Sequence, residues 1–109
     1  MKAIYQALID EIHYPISSGF VENVLIKRNL DGEAEFTTEA FFSKEYQGAL
    51  ADCLYSLVQA VNFSEADKSV GALSDKDKER ILLRVNYIYQ SIGEPLVELG
   101  AKPMVYIGG

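Results

Sequence analysis

The sequence predicts an all-α domain, four main helices in a small bundle with a short extended C-terminal tail. Three observations predict it. An apolar stripe at helical spacing runs from Phe42 to Val61, and a second runs from Ile81 to Ile92. Proline and glycine stops, at Pro15 and at Gly93-Glu94-Pro95, then bound the remaining periodic segments.

The first helix is expected at about 3–13, with Ile4, Leu8 and Ile12 on one face and Tyr5 and Ile9 beside them. Pro15 ends it, because the residue before a proline is pushed out of helical dihedrals and the ring supplies no N–H. Ser17 or Ser18 can cap a second helix at about 19–30, whose apolar face is Phe20, Val21, Val24 and Leu25. Asn29 or Gly32 can supply the left-handed turn at its end. Residues 31–37 read as an acidic loop, after which Thr37 or Thr38 caps a third helix at about 39–62. Its expected buried set is Phe42, Tyr46, Ala49, Leu50, Cys53, Leu54, Leu57, Val58 and Val61, with Ser43, Glu45, Gln47, Asp52, Ser56 and Gln59 facing outward. Gly48 is its weak position, at about 1 kcal/mol relative to alanine, and can mark a close helix crossing.

A polar connection follows, holding a Ser69–Leu73 run that could be extended. Ser74 with Asp77 forms an aspartate version of the capping box for a fourth helix at about 75–92. Ile81, Leu82, Val85, Ile88, Tyr89 and Ile92 are its inward face. Leu96, Val97 and Leu99 are read as one short turn of helix. The final residues, 100–109, form the extended tail, and its Met104-Val105-Tyr106-Ile107 run is apolar and β-prone.

At 109 residues the chain has the size of one domain, residues 1–109, and 49% hydrophobic content gives it enough apolar surface for a core. The net charge of −6 argues against a protein that neutralises many phosphates, so nucleic acid is an unfavoured partner. Lys76, Arg80 and Arg84 could align at i, i+4, i+8, but acidic neighbours dilute them. Asp10 and Glu11 interrupt the first apolar segment before a signal sequence could finish, and no apolar run reaches transmembrane length. The expected location is therefore cytoplasmic, with no membrane partner.

Candidate chemistry is sparse. His13 is the single histidine and Cys53 the single cysteine, so neither a metal site of the HxxxH or CxxC type nor an internal disulfide can form. His13 is read as a charge at a helix C-terminus, and Cys53 as a buried core residue, since a reactive thiol needs an exposed electropositive setting. Asp31, Glu33 and Glu35 read as a solvated loop rather than a cation site, and the alternating charges of 75–80 as a solvated helix face. Tyr46, Tyr87 and Tyr89 are expected to pack on the core. No Gly-rich phosphate loop, nucleophile elbow or base-paired carboxylates are recognisable. The expectation is no enzyme, no metal and no cofactor.

Several short stretches carry a resemblance: Tyr14-Pro15, Leu25-Ile26-Lys27-Arg28-Asn29-Leu30-Asp31, Leu73-Ser74-Asp75-Lys76, Ile88-Tyr89 with Gly93-Glu94-Pro95, and Lys102-Pro103-Met104-Val105. In these the chain resembles a family of small uncharacterised helical proteins from prophage-like gene clusters of gut anaerobic bacteria. It departs from that family at Asn29, where glycine is common, and at Ala66-Asp67, where glycines follow the preceding Ser-Glu pair. The resemblance brings no catalytic residue. Its size and helical content are similar to the head–tail connector, or head-completion, proteins of tailed phages, which assemble as rings. It implies a non-enzymatic structural or adaptor protein that self-associates or binds phage structural proteins. The residues expected at its interface are Met104, Val105, Tyr106 and Ile107, because a four-helix core does not need them. The alternatives are a monomeric accessory module binding one other protein and, less favoured, a regulator that touches DNA through Lys76, Lys78, Arg80 and Arg84; a phage origin would make the protein virion-associated.

Overall fold

Helix boundaries in this chain are set by local hydrogen-bond chemistry, and most sit where the residue types place them. A computed structural model describes residues 1–59 and 74–98. Within them are α1 (Ile4–Ile12), α2 (Ser18–Lys27), α3 (Thr38–Phe42), α4 (Lys44–Gln59) and α5 (Asp75–Ser91). The fold is all-α, and no strand occurs among the described residues. The tail, the Ser69–Leu73 run and Val61 lie outside them.

Three starts are capped by hydroxyls accepting from the third residue on: Ser17 Oγ from Phe20 N at 3.3 Å, Thr37 Oγ1 from Ala40 N at 3.0 Å, and Ser74 Oγ from Asp77 N at 3.0 Å. Helix α1 has no side-chain cap. Instead the 31–36 loop returns to it. Ile4 N donates to Ala34 O and Tyr5 N to Gly32 O, each at 2.9 Å, while Phe36 N donates to Lys2 O at 2.7 Å. An isolated antiparallel bridge joins Ala3 and Glu35. The acidic loop is thus a backbone cap, built to satisfy orphan N–H groups.

Two ends share one design. Asn29 takes the left-handed conformation (φ 62°), with Leu30 N donating to Leu25 O and Asn29 N to Ile26 O. Gly93 (φ 81°) ends α5 the same way, with Glu94 N donating to Tyr89 O and Gly93 N to Gln90 O. Both are Schellman turns. His13 is left-handed as well (φ 67°) and ends α1 two residues before Pro15.

The third predicted helix is two helices. Ser43 leaves the helical region (φ −70°, ψ 150°), donates its hydroxyl to Ala40 O at 2.7 Å and accepts from Tyr46 N at 3.1 Å. One side chain therefore closes α3 and opens α4. The break changes which phenylalanine faces inward. An uninterrupted helix would stack Phe42 over Tyr46 at i, i+4. In the bent chain Phe41 meets Tyr46 instead (ring centroids 5.8 Å apart), and Phe42 is 72% exposed. Phe36 completes an aromatic group with Phe41 and Tyr46.

Helix α4 is central, packing on α5 most extensively and also touching α1, α2 and α3. Surrounded on several sides, it buries a band wider than one stripe: Tyr46, Gly48, Ala49, Leu50, Ala51, Cys53, Leu54 and Val58. Ile4, Leu8 and Ile12 from α1, Val21, Val24 and Leu25 from α2, and Ile81, Val85, Ile88 and Tyr89 from α5 fill the core against it. Tyr87, expected on the core, points outward and is 74% exposed; it lies on the face of α5 opposite Val85. No turn of helix forms at 94–98. That segment runs back alongside α5 as a strap. Asn86 donates Nδ2 to Val97 O at 2.9 Å and accepts from Val97 N at 2.8 Å, and the Tyr55 hydroxyl donates to Glu98 O at 3.0 Å.

Candidate functional site at the Arg28 cluster

The densest polar constellation stands where the two Schellman turns meet. The turn ending α2 makes Arg28 the last residue before the left-handed position, and the turn ending α5 makes Glu94 the first residue after it. Arg28 reaches across the face of α4 to join them. Its Nε and Nη2 donate to Asp52 Oδ2 and Oδ1 at 2.8 and 2.9 Å. Its Nη1 and Nη2 donate to Glu94 Oε2 and Oε1 at 2.6 and 3.0 Å. Both carboxylates are held in the forked geometry a guanidinium favours. The Tyr89 hydroxyl adds a further hydrogen bond to Asp52 Oδ1.

Gly48 provides the seat. A Cβ there would stand 2.5 Å from Arg28 Nη1 and 2.6 Å from Cζ, so the guanidinium lies directly on the helix backbone. Its place one turn before Asp52 lets α4 offer a flat surface and a carboxylate together. The close approach anticipated at Gly48 is therefore real, but what approaches is an arginine side chain rather than a helix axis.

The electrostatics are self-contained. Hydrogen bonds donated to Glu94 and Asp52 raise the Arg28 pKa further above its ordinary value, against the cost of burial. The same contact holds Glu94 below the usual glutamate range. Burial, then the bond to Asp52, pushes the Tyr89 phenol up. The donors of Arg28 are engaged by two carboxylates, one on α4 and one after α5. The cluster works as a clasp joining α2, α4 and the strap after α5.

The residues singled out from sequence are scattered. His13 is exposed at the end of α1, whereas Cys53 is fully buried, its thiol pushed up to about 12 by burial and then by the charge of Asp52. Asp31 accepts from the backbone N–H of Glu33 at 2.9 Å, and no cluster suited to a metal ion occurs among the described residues. The supposed basic row is divided. Arg84 pairs with Glu11 at 3.0 Å, and Arg80 lies 3.7 Å from Asp77. Met104, Val105, Tyr106 and Ile107 lie outside the described residues. No helix among the described residues is long and apolar enough to cross a membrane. The Arg28 cluster itself had no sequence signal beyond a glycine inside a helix, because its partners lie 24 and 66 residues apart in the chain.

Two surface features complete the map. Leu83 and Tyr87 stand 72% and 74% exposed, one turn apart on α5. Beside the α3–α4 corner, an open depression of about 350 Å³ is lined by Phe36, Thr37, Thr38 and Phe41.

Comparison with curated proteins and with solved structures yields no match. The pattern of a family of unknown function, DUF6706, matches residues 2–106, so the chain belongs to the DUF6706 family.

Proposed function

We propose that this protein is a non-enzymatic structural or adaptor subunit that works by self-association, of the kind found in phage head–tail connectors. One observation carries the reading: Leu83 and Tyr87, two large apolar side chains, stand side by side in solvent on α5. Such a pair serves no purpose in the bundle core, which Ile81, Val85, Ile88 and Tyr89 supply from the opposite face. Arg28, Asp52, Glu94 and Tyr89 are committed to one another in the clasp. The sequence resemblance to proteins of prophage-like clusters supports the connector form of the reading. Met104, Val105, Tyr106 and Ile107 provide a second contact, adding to a neighbouring chain as a strand or covering one of its grooves.

Sedimentation of the full chain over a wide concentration range is the test. The expected result is a mass rising above the 12.1 kDa of one chain. Removing residues 103–109 is expected to reduce the association. One-chain mass at every concentration favours the monomeric accessory module in its place.

A further inference from the structure

Residues 95–98 belong to no helix, so their backbone polar groups take partners from the helices beneath them. Asn86 on α5 gives its whole amide to one residue of the strap, donating Nδ2 to Val97 O at 2.9 Å and accepting from Val97 N at 2.8 Å. A side-chain amide paired in this way reads an extended backbone much as a neighbouring strand would. Tyr55 on α4 donates its hydroxyl to the next carbonyl, Glu98 O, at 3.0 Å. Arg28 takes the carboxylate of Glu94, three residues before Val97. These three side chains form a seat for an extended chain. It reads a carboxylate and then, three residues on, a peptide unit whose β-branched side chain packs on the core.

The strap buries little of its own. Val97 packs on the core, while Leu96 is 59% exposed. Opening the strap therefore uncovers one partly buried side chain and leaves the helix-built core in place, which sets it among the segments that open before the whole molecule does. Gly93, left-handed at φ 81°, stands at the joint with α5. Without a Cβ it lets the chain leave the helix in other directions at no steric cost. Pro95 holds Glu94 away from helical dihedrals, so a released strap keeps the extended shape that the seat reads and loses less freedom on docking again.

We propose that the Arg28–Tyr55–Asn86 seat of one copy takes the 94–98 strap of a second copy, so that straps exchange between chains. The occupant follows from what is already seated there: the sequence Glu94 to Glu98 of this chain meets each of the three reading groups. An exchanged strap remakes every bond that it breaks. Exchange therefore has to offset only the freedom lost when two chains associate. Leu83 and Tyr87, on the same helix as Asn86, are exposed apolar area available for that offset. The inference rests on the self-association reading and names the segment that passes between copies.

The test uses the full chain carrying Glu94→Ala/Val97→Pro, which removes the carboxylate that Arg28 holds and the N–H that Asn86 reads, and leaves the seat itself intact. Circular dichroism melting checks that the variant folds. The probe is a synthetic peptide of residues 93–98, capped at both ends, followed by NMR titration. Binding to the variant is expected to saturate, with the side-chain amide of Asn86 among the shifted signals. The wild type is expected to need about tenfold more peptide, because its own strap competes for the seat. Adding Asn86→Ala to the variant, or Glu94→Gln in the peptide, is expected to weaken binding about tenfold. A folded variant that does not bind the peptide overturns the seat. In sedimentation the wild type is expected to associate and the variant to stay at one-chain mass. If the variant associates as well as the wild type, strap exchange is wrong and the self-association reading stands. If the variant binds the peptide but the wild type never exceeds one-chain mass, the strap serves its own chain alone and both proposals fall.

Discussion

At the residue scale, Gly48 and Tyr46 are the positions where a small change is most informative. In an ordinary exposed helix, glycine to alanine gains about 1 kcal/mol. Here the new methyl group would push a guanidinium fixed by two carboxylates, so Gly48→Ala is expected to destabilise by about 1–2 kcal/mol. In an Arg28→Ala background the obstruction is gone and the same change is expected to stabilise. Urea denaturation of the two single variants and the double variant measures that reversal, and additive effects would separate Gly48 from Arg28. Tyr46 is fully buried, and its hydroxyl finds no partner among the described residues. Burial pushes its phenol up, so the hydroxyl stays neutral and adds only a desolvation cost. Tyr46→Phe removes that oxygen and keeps the ring against Phe36 and Phe41. It is expected to raise the melting temperature, by the equivalent of about 1 kcal/mol. Cys53 should be inert to thiol reagents in the folded state and react on unfolding. Its folded pKa is raised to about 12, so its contribution to stability is complete below about pH 8.5 and is lost as pH rises above that value.

At the element scale, two joints hold the helices in their order. Ser43 closes α3 and opens α4 with one hydroxyl. Ser43→Ala is expected to lose about 1 kcal/mol, measured by thermal melting. The Arg28 clasp links the end of α2 to the strap after α5. Glu94 is held below the ordinary glutamate range, so its contribution is present at neutral pH and is lost as pH falls through its lowered value. Denaturant midpoints at pH 7 and pH 3 should therefore differ more for the wild type than for Glu94→Gln. An equal difference in both proteins would show that the acid sensitivity comes from other carboxylates.

At the scale of the whole molecule, the architecture turns on α4 being enclosed. A helix with neighbours on several sides needs small residues as well as large ones. Gly48, Ala49 and Ala51 give α4 room for the Arg28 side chain and for close packing against its neighbours. Enclosing α4 leaves the outer face of α5 and the α3–α4 corner as free surface, and these carry three large apolar residues that stand exposed, Leu83, Tyr87 and Phe42, while Ile26 and Leu96 are exposed elsewhere. The strap at 94–98 is tied back to the helices by Glu94, Asn86 and Tyr55. The fold thus separates a buried apolar core from an outer surface that still carries large apolar side chains.

The sequence by itself determined the helices, their stops and most of their buried faces. Periodicity, hydroxyl caps at Ser17, Thr37 and Ser74, and left-handed turns at Asn29 and Gly93 act over a few residues, where local dihedrals and hydrogen bonds decide. Tertiary structure alone decided the rest. The polar residue Ser43 is equally at home on a helix surface or at a break, and packing of Phe41 on Tyr46 settled which. Tyr87 sits beside a core stripe in the sequence, and only the direction from which α4 approaches turned it outward. Asp52 read as a surface residue, and became half of a clasp because an arginine 24 residues earlier and a glutamate 42 residues later converge on it. Such pairings span the chain, so no local pattern encodes them. They form where packed helices bring distant charges within hydrogen-bond distance of one another.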